Sequence, residues 1–457
     1  MLPPPATALH CAEALLPGGW ATNVRITLVG GLIETVDTGV PARPGDTAVP
    51  VALPGMPNLH SHAFQRAMAG LAEVRGPAGD DFWTWRAAMY RFVERITPDD
   101  LRAIAALAYV EMLETGFTRV GEFHYLHHDR GGTPFADRAE MSAAIAAAAA
   151  ESGIGLTLLP VFYAHSGFGG AAPGAGQARF INDGDGFAAL LDGARRATAG
   201  LPDAIVGVAP HSLRAVTPDE LARLVPLAGA APIHIHIAEQ VKEVEDCVTW
   251  SGARPVAWLL ANASVDARWC LVHATHMTDG EATALAVSGA VAGLCPVTEA
   301  NLGDGIFPAE PFLAAGGRYG VGSDSNVLID ATEELRLLEY GQRLAARGRN
   351  RLARAAGDST GDTLYRAAVA GGGQALGMAA GIAPGHPADL IGLHGDHPSF
   401  AGRSGPALSD ALLFAAGRGA IDRVWRRGRP VVAAGRHVAR DAVAARYRRC
   451  VARLIAG

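Results

Sequence analysis

An alternation of short apolar segments and helix-like segments, repeated eight times between residues 49 and 346, most constrains the fold of this chain. The apolar segments are nearly continuous, as strands buried on both faces are, and the helical patterns between them are typical of crossover connections. Eight such units predict an α/β protein whose parallel strands close into a (β/α)8, TIM-like barrel. The predicted strands are residues 49–53, 118–123, 155–162, 204–209, 232–238, 269–273, 290–295 and 318–322.

Both ends of the chain carry a different pattern. Residues 9–37 alternate apolar and polar positions between glycine pairs, and short apolar runs return after Gly385. This pattern is typical of antiparallel strands, and we expect the two ends to pair in one small β-sandwich domain. The segment 166–176 is long for a barrel connection, and whether it is a closing lid stays open. The expected domains are residues 1–50 with 385–457 for the small β domain and 51–384 for the barrel.

Composition argues against several other classes of protein. No apolar run reaches the roughly 18 to 20 residues that a membrane span requires, so we expect no membrane partner. The segment Met1 to Pro5 lacks the basic and apolar regions of a secretory signal, which favours a cytoplasmic location. A formal net charge of −6 gives no attraction to nucleic acid. The five cysteines form no Cys-x-x-Cys pair, which argues against a disulfide framework or a zinc ribbon.

His60 and His62 lie just beyond the first predicted strand, after the irregular segment Pro54 to Pro57. Side chains at positions i and i+2 of a strand point to the same face, so both imidazoles can reach one ion. A His-x-His pair also occurs at ordinary strand ends and in loops. The groups at the other strand ends therefore decide whether this pair belongs to a metal site.

The carboxyl ends of barrel strands meet at one face, and several of them carry metal-binding groups here. Besides His60 and His62, His236 belongs to the fifth predicted strand, His273 ends the sixth, and Asp324 follows the eighth. Three imidazoles and one aspartate satisfy a cation such as Zn²⁺ and leave a position for water. Alternatives stay open, since His236 and His273 could be core histidines and Asp324 a helix N-cap. Their coincidence at four strand ends favours a metal site.

The ordered set of His-x-His, His236 with Glu239, His273 and Asp324 resembles the amidohydrolase superfamily. Within it, His-Ser-His-Ala-Phe-Gln-Arg at residues 60–66 and Phe-Trp-Thr-Trp-Arg at residues 82–86 are similar to the formimidoylglutamate deiminase family. The segments 210–214 and 234–240 support the same match. The resemblance covers essentially the whole chain.

This resemblance implies a hydrolytic deamination in histidine degradation. N-formimino-L-glutamate would be converted to N-formyl-L-glutamate and ammonia by a metal-activated hydroxide. Asp324 would also accept the proton of the water, Glu239 would protonate the imine nitrogen and the departing ammonia, and His273 would stabilise the tetrahedral intermediate. The resemblance further implies a homodimer. One Zn²⁺ per chain, with Fe²⁺ as the alternative, would be held by His60, His62, His236 and Asp324.

Lys242 is the only lysine of the chain, and it lies beyond the fifth predicted strand. Binuclear members of the superfamily commonly bridge two metals with a carbamylated lysine from strand four, and residues 204–209 contain none. A mononuclear site is therefore expected. Glu122, at the end of the second predicted strand, is the group that could bridge a second ion.

A substrate with two carboxylates requires cationic side chains, and arginine binds a carboxylate through two parallel hydrogen bonds. Within the matched segments the resemblance assigns Arg86 and Arg214 to the substrate carboxylates, with Gln65, Tyr125 and His211 beside them. Two alternatives stay open. The same metal site could deaminate a cytosine-, guanine- or adenosine-like ring, for which Arg214 would matter little, or the chain could be a catalytically silent scaffold.

Overall fold

The structure is a computed structural model, and it describes residues 7–76 and 79–456. The prediction made from Met1 to Pro5 lies outside these residues. The strands are β1 (Thr7–Leu16), β2 (Gly19–Val29), β3 (Leu32–Asp37), β4 (Thr47–Pro54), β5 (Met56–Ser61), β6 (Phe117–His124), β7 (Gly155–Phe162), β8 (Ile205–Val206), β9 (Ala209–Pro210), β10 (Ile233–Ile237), β11 (Trp269–His273), β12 (Val291–Leu294), β13 (Arg318–Val321), β14 (Leu390–Leu393), β15 (Ile421–Arg426), β16 (Arg429–Ala433) and β17 (Arg436–His437).

The α-helices cover the outside of the barrel and the ends of the chain. They are α1 (Phe82–Val93), α2 (Pro98–Glu114), α3 (Glu140–Ser152), α4 (Gly184–Thr198), α5 (Pro218–Leu224), α6 (Val241–Ser251), α7 (Pro255–Asn262), α8 (Asp279–Ser288), α9 (Pro296–Leu302), α10 (Ala309–Ala314), α11 (Ala331–Ala346), α12 (Thr360–Ala375), α13 (Pro406–Ala411) and α14 (Arg440–Ala456). Within the described residues, none of these helices combines the length and the apolar character needed to cross a bilayer.

Parallel strands close into the predicted barrel. The strands β5, β6, β7 and β8 pair in succession, β10 to β13 continue the sheet, and β13 pairs with β5. The short strands β8 and β9 share the fourth position, and bridges from Val208 to Ile233 and from Ser212 to His236 join this position to β10. The (β/α)8 architecture predicted from the alternating pattern is therefore confirmed, and it places the carboxyl ends of all strands at one face.

Both chain ends build a second sheet, in the order β17-β16-β15-β14-β4-β1-β2-β3. Most neighbours are antiparallel, whereas β1 and β4 run parallel. The edge strand β3 also contacts the segment before β14, where the Ile33 N–H donates to the carbonyl of His386 at 2.9 Å. The sheet has a hydrophobic core of its own, which includes Leu9, Ile26 and Trp425. The predicted pairing of the two ends is confirmed.

The prediction of residues 49–53 as the first barrel strand is wrong. These residues belong to β4, which pairs with β1 and β14 of the second sheet, and the barrel strand is β5. An apolar run fits a buried strand of either sheet, whereas Pro57, Asn58 and His60 obscure the pattern of β5. Gly55 connects the two strands, where a Cβ would lie 2.3 Å from the side chain of Thr118.

The fourth barrel strand is interrupted, although residues 204–209 were expected to form it without a break. Gly207 separates β8 from β9, and its N–H donates to the carbonyl of Leu158 at 2.9 Å. A Cβ at Gly207 would lie 2.5 Å from the carbonyl oxygen of Pro232, so the two backbones approach too closely for a side chain. This tight approach requires glycine at position 207, which an apolar pattern does not reveal, and β8 and β9 pair with β7 in the same register.

Buried ion pairs join the second sheet to the bottom of the barrel. Arg426 of β15 pairs with Asp203, and its Nη1 lies 2.9 Å from Oδ1 of Asp389. Arg119 of β6 reaches the same Asp203, with 2.7 Å between Nη2 and Oδ2. The helix α14 packs on α2 of the barrel. The domain bounds given above stay a proposal, with β4 extending the small domain to Pro54.

Candidate active site

The carboxyl ends of the barrel strands bring four polar side chains to one buried point. His60 and His62 come from β5 and the residue after it, His236 comes from β10, and Asp324 follows β13. The Nε2 atom of His60 lies 3.2 Å from Nε2 of His62 and 3.1 Å from Nε2 of His236. Oδ1 of Asp324 lies 3.4 Å from Nε2 of His60 and 3.3 Å from Nε2 of His62. Each of the four residues is at most 5% exposed.

The spacing and the protonation of these groups fit a divalent cation. Ligand atoms at about 2.0–2.1 Å from a tetrahedral zinc ion lie about 3.3 Å from one another. Burial lowers the pKa of His62 and His236 and lowers that of His60 to about 3, so the imidazoles are neutral and their lone pairs are free. The Nδ1 atoms of His62 and His236 donate to the carbonyls of Phe123 and His211, which leaves Nε2 to face the common point.

The backbone at three of these strand ends is strained. Ala238, His273 and Asp324 have φ angles of +52°, +68° and +43°, in the left-handed region that residues with a side chain rarely adopt. Such conformations cost about 1–3 kcal/mol each and concentrate at functional sites. The Asp324 N–H donates to the carbonyl of His60 at 3.0 Å, so the fold holds this strained residue beside the histidine pair.

His273 and Glu239 lie beside the four converging side chains. Nε2 of His273 is 3.7 Å from Oε1 of Glu239 and 3.9 Å from Oδ2 of Asp324, and its Nδ1 donates to Glu299 at 3.3 Å. Burial disfavours a charged His273, but Glu239, Glu299 and Asp324 together raise its pKa to about 10. Burial raises the pKa of Glu239 to about 7, against the charges of His273 and Arg214. Glu239 is therefore suited to exchanging a proton near neutral pH.

A pocket opens over this point, and cationic and hydrogen-bonding side chains line its wall. Nη2 of Arg214 lies 3.8 Å from Oε2 of Glu239, and the guanidinium of Arg86 lies 4.4 Å from the ring centre of Trp83. The side-chain amide of Gln65 donates to the hydroxyl of Tyr125 at 2.9 Å. Every side chain that the sequence suggested for substrate contact lines this pocket, namely Gln65, Arg86, Tyr125, His211 and Arg214.

The structure excludes the helix-cap alternative for Asp324 and shows where His234 and His124 lie. The N-cap of α11 is Asp330, which accepts from the N–H groups of Thr332 and Glu333, so Asp324 does not cap that helix. His234 lies one layer deeper, where its Nε2 donates to the carbonyl of Ala375 at 2.7 Å. His124 ends β6 and is fully buried.

Glu122 and the segment 166–176 were left open from the sequence. Oε1 of Glu122 accepts from the N–H of Ala63 at 2.7 Å, and burial raises the pKa of this carboxyl to about 8. A carboxyl that is protonated and engaged in this way is a poor bridge between metals. Among the described residues that line the pocket, none comes from 166–176, whereas α1 contributes several, including Trp85 and Met89.

Several side chains of the site carried no signal in the spacing of the sequence. Tyr163, Thr298 and Ser325 line the pocket without belonging to a repeated pattern. Glu243 and Glu299 stand in the first turns of α6 and α9, where acidic residues are common because they favour the helix N-terminus. Only the fold shows that these two carboxylates turn back toward the strand ends.

Comparisons with family models cover nearly the whole chain. The model described as "Amidohydrolase family" matches residues 51–431. The model described as "Formimidoylglutamate deiminase HutF, N-terminal domain" matches residues 6–48. The two matches divide the chain close to the passage from the second sheet into the barrel.

Individual proteins that are similar to this chain include a deiminase, a deaminase and an amidohydrolase. A formimidoylglutamate deiminase from Pseudomonas aeruginosa is 53% identical over 439 residues, 95% of this chain and 96% of the relative. A 5-methylthioadenosine/S-adenosylhomocysteine deaminase from Natronomonas pharaonis is 30% identical over 379 residues, 81% of this chain and 79% of the relative. The crystal structure of an amidohydrolase from Brucella melitensis is 55% identical with a TM-score of 0.95, covering 98% of this chain and all of the other.

A more distant structure shares the fold. An adenosine deaminase from Xanthomonas campestris, solved with bound zinc, superposes with a TM-score of 0.82 over 99% of both chains at 22% identity. At this identity the likeness concerns the fold alone. The barrel with an attached sheet from both ends is therefore common to distantly related sequences.

Proposed function

This chain belongs to the amidohydrolase family, and we propose that it hydrolyses N-formimino-L-glutamate to N-formyl-L-glutamate and ammonia, a step of histidine degradation. It is a hydrolase that acts on C–N bonds. The observation that carries the choice of substrate is the position of Arg214 next to Glu239, in a pocket that also contains Arg86. A cationic wall beside a proton-transfer group suits a substrate that carries carboxylates.

Family members depend on a metal, and we assign its ligands here to the four converging side chains. Imidazole nitrogens with one carboxylate suit a borderline cation, so we propose one Zn²⁺ per chain, with Fe²⁺ as the alternative. When bound, such an ion lowers the pKa of a coordinated water and polarises the substrate. The absence of lysine from residues 204–209 supports a mononuclear site. The proposed ligands are His60, His62, His236 and Asp324.

The protein side chains handle the protons of the reaction. Asp324 accepts a proton from the attacking water as its oxygen bonds to the formimino carbon. Glu239 donates its proton to the imine nitrogen as the tetrahedral intermediate forms. It then takes the proton of the intermediate's hydroxyl and passes it to the leaving nitrogen, so that the C=O bond forms, the C–N bond breaks and ammonia is released. The proton held by Asp324 returns to Glu239 through solvent, which restores both groups. The Nε2–H of His273 donates a hydrogen bond to the oxygen on which negative charge develops.

The pocket wall orients the glutamate part of the substrate. Arg86 and Arg214 bind its two carboxylates, since each guanidinium can donate two parallel hydrogen bonds. Gln65, Tyr125 and His211 add neutral hydrogen-bonding groups around the same space. Among the ring substrates in the names of the more distant relatives, 8-oxoguanine and 5-methylthioadenosine carry no carboxylate and S-adenosylhomocysteine carries one, so two arginines at these positions favour the open-chain substrate.

An ammonia-release assay on zinc-loaded protein tests this function. We expect turnover of N-formimino-L-glutamate and no turnover of 5-methylthioadenosine or 8-oxoguanine, the substrates in the names of relatives that are 28–30% identical. Turnover of either ring compound without turnover of N-formimino-L-glutamate would replace the proposal with a ring deamination. Absence of bound metal together with absence of all turnover would favour a silent scaffold.

Two further properties are proposed with the function. We propose a cytoplasmic location, supported by the five cysteines, all free and buried as in proteins of reducing compartments. The homodimer stays a prediction, which light scattering after size-exclusion chromatography checks.

A further inference from the structure

Glu243 is a fully buried carboxylate that lies behind the pocket rather than in its wall. It is the third residue of α6, and its side chain turns back toward the end of β10. Oε1 accepts from the N–H of Ala238 at 3.1 Å, and Oε2 accepts from the N–H of Glu239 at 3.1 Å. Both oxygens are therefore used to hold the two residues that lead from the strand into the site.

The turn that Glu243 holds is strained. Ala238 has a φ of +52°, a conformation that alanine leaves unless its surroundings enforce it. The direction of the Glu239 side chain depends on this turn, because it is the next residue of the chain. Loss of the carboxylate would leave two buried N–H groups without an acceptor and would let the turn relax.

Glu243 also lies beside the substrate-binding arginine. Nη2 of Arg214 is 3.9 Å from Oε2 of Glu243 and 3.8 Å from Oε2 of Glu239, so the guanidinium sits between two carboxylates. Burial opposes the charge of Arg214, but Glu243 and Glu239 raise its pKa and keep it cationic. The Nε atom of Arg214 is buried without a hydrogen-bond partner among the described residues. The arginine is thus held by charge while part of its hydrogen-bonding capacity stays available.

We propose that Glu243 is a positioning residue that sets both Glu239 for proton transfer and Arg214 for carboxylate binding. The inference rests on the roles given to these two residues in the proposed function. One carboxylate thereby links the group that moves the proton to the group that holds the substrate. A change at Glu243 acts on both kcat and KM, although this side chain touches neither the substrate nor the metal ligands.

Steady-state kinetics of Glu243→Gln, with Glu245→Gln as the matched control on the exposed side of α6, tests the inference. Glutamine presents an N–H₂ where a carboxylate oxygen now accepts. We expect Glu243→Gln to lower kcat by about 10- to 100-fold and to raise KM, with zinc content unchanged. Glu245→Gln should match the wild type. A kcat and KM of Glu243→Gln equal to those of the control would overturn the proposal.

A double-mutant cycle separates positioning from general destabilisation. In a Glu239→Gln background, adding Glu243→Gln should change kcat by less than about twofold, because the group through which it acts is already disabled. An equal loss in both backgrounds would mean a merely structural role. Glu243→Asp keeps the charge near Arg214, but its side chain is too short to hold the turn. We therefore expect it to lower kcat and to raise KM less than Glu243→Gln does. A kcat equal to that of the wild type would contradict the inference.

A crystal structure of zinc-loaded Glu243→Gln gives a readout that does not depend on the substrate. We expect Ala238 to leave the left-handed region and the carboxylate of Glu239 to shift by about 1 Å or more, the scale of misplacement that affects rate. An unchanged turn would contradict the inference even if activity fell. Absence of turnover by the wild type would instead reject the proposed function, while the geometry of the turn still decides the role of Glu243.

Discussion

Arg214 and Glu239 lie next to each other in the buried pocket, with 3.8 Å between Nη2 of the arginine and Oε2 of the glutamate. The separation exceeds that of a hydrogen bond, so the guanidinium is attracted to the carboxylate without being saturated by it. A substrate carboxylate can therefore bind Arg214 while Glu239 keeps an oxygen free for the reacting nitrogen. In the proposed function, the residue that binds a substrate carboxylate therefore lies next to the residue that transfers the proton.

Substitution of His236 by alanine should abolish metal binding and activity. The change removes one of three converging imidazoles, and two remaining histidines with a carboxylate hold zinc far less tightly. Metal analysis should show a fall from about one zinc per chain to near zero, in parallel with loss of ammonia release. His394→Asn, at a partly exposed histidine distant in sequence from the ligands, should keep both. Full zinc content in His236→Ala would contradict the ligand assignment.

Glu239→Gln should retain zinc and lose rate. Glutamine keeps the shape of the side chain but cannot donate and accept the catalytic proton, which is worth about 10²- to 10⁴-fold in kcat. The measurement is kcat for ammonia release alongside zinc content. A variant that loses its metal would show that Glu239 acts as a ligand instead.

Arg86→Ala should raise KM more than it lowers kcat. Arg86 rests on Trp83 at the pocket wall, where its proposed partner is a substrate carboxylate and not a reacting atom. A hydrogen-bonded charge pair contributes about 1.5–3 kcal/mol, or about 10- to 150-fold in affinity. Arg91→Ala, at an exposed arginine of the same helix, is the control and should behave as the wild type. An unchanged KM in Arg86→Ala would remove this residue from the binding site.

Arg426→Met should destabilise the protein by about 3–5 kcal/mol, because Asp389 would stay buried without its cation and the partly buried Asp203 would keep only Arg119. Urea unfolding of the metal-free protein measures the change. Arg423→Met removes a half-exposed ion pair with Asp422 on the same strand and should cost no more than about 1 kcal/mol. Equal effects of the two substitutions would mean that the buried network adds nothing of its own.

Asp203→Asn should destabilise the protein at neutral pH and matter less in acid. Burial opposes the charge of Asp203, but Arg426 and Arg119 hold the pKa of this carboxyl below its usual range. Since the folded-state pKa is depressed, the stabilisation is complete above the unfolded-state pKa and is lost as the pH falls toward the folded-state value. The difference in unfolding free energy between wild type and variant should therefore shrink below about pH 4. A difference independent of pH would contradict the assigned pKa shift.

The barrel could be predicted because each of its strands and helices is recognisable from a short segment of the sequence. Continuous apolar strands separated by crossover helices have few ways to pack, and strand ends of such a fold converge whatever the loops do. The convergence of His60, His62, His236 and Asp324 could be expected on this ground alone. Their distances of 3.1–3.4 Å could not, because they depend on backbone angles at individual strand ends.

The strand predictions were wrong where the hydrophobic pattern fitted more than one arrangement. The apolar residues 49–53 satisfy a strand in either sheet, and only the pairing of β4 with β1 and β14 assigns them to the second one. The requirement for glycine at position 207 follows from the close approach of the Pro232 carbonyl, a contact between residues 25 positions apart. Both features are decided by packing between segments, on which periodicity has no bearing.

The sequence by itself determined the fold class, the strand ends that carry chemistry and the family, because these depend on residue type and on repeating order along the chain. Tertiary structure alone decided which carboxylates support the site. Glu243 and Glu299 are ordinary first-turn acids in the sequence, and they become supports of Glu239 and His273 because the helices that bear them pack against the strand ends. Hydrogen bonds of this kind depend on the direction of a side chain in the folded protein, and the periodicity of the sequence does not show that direction.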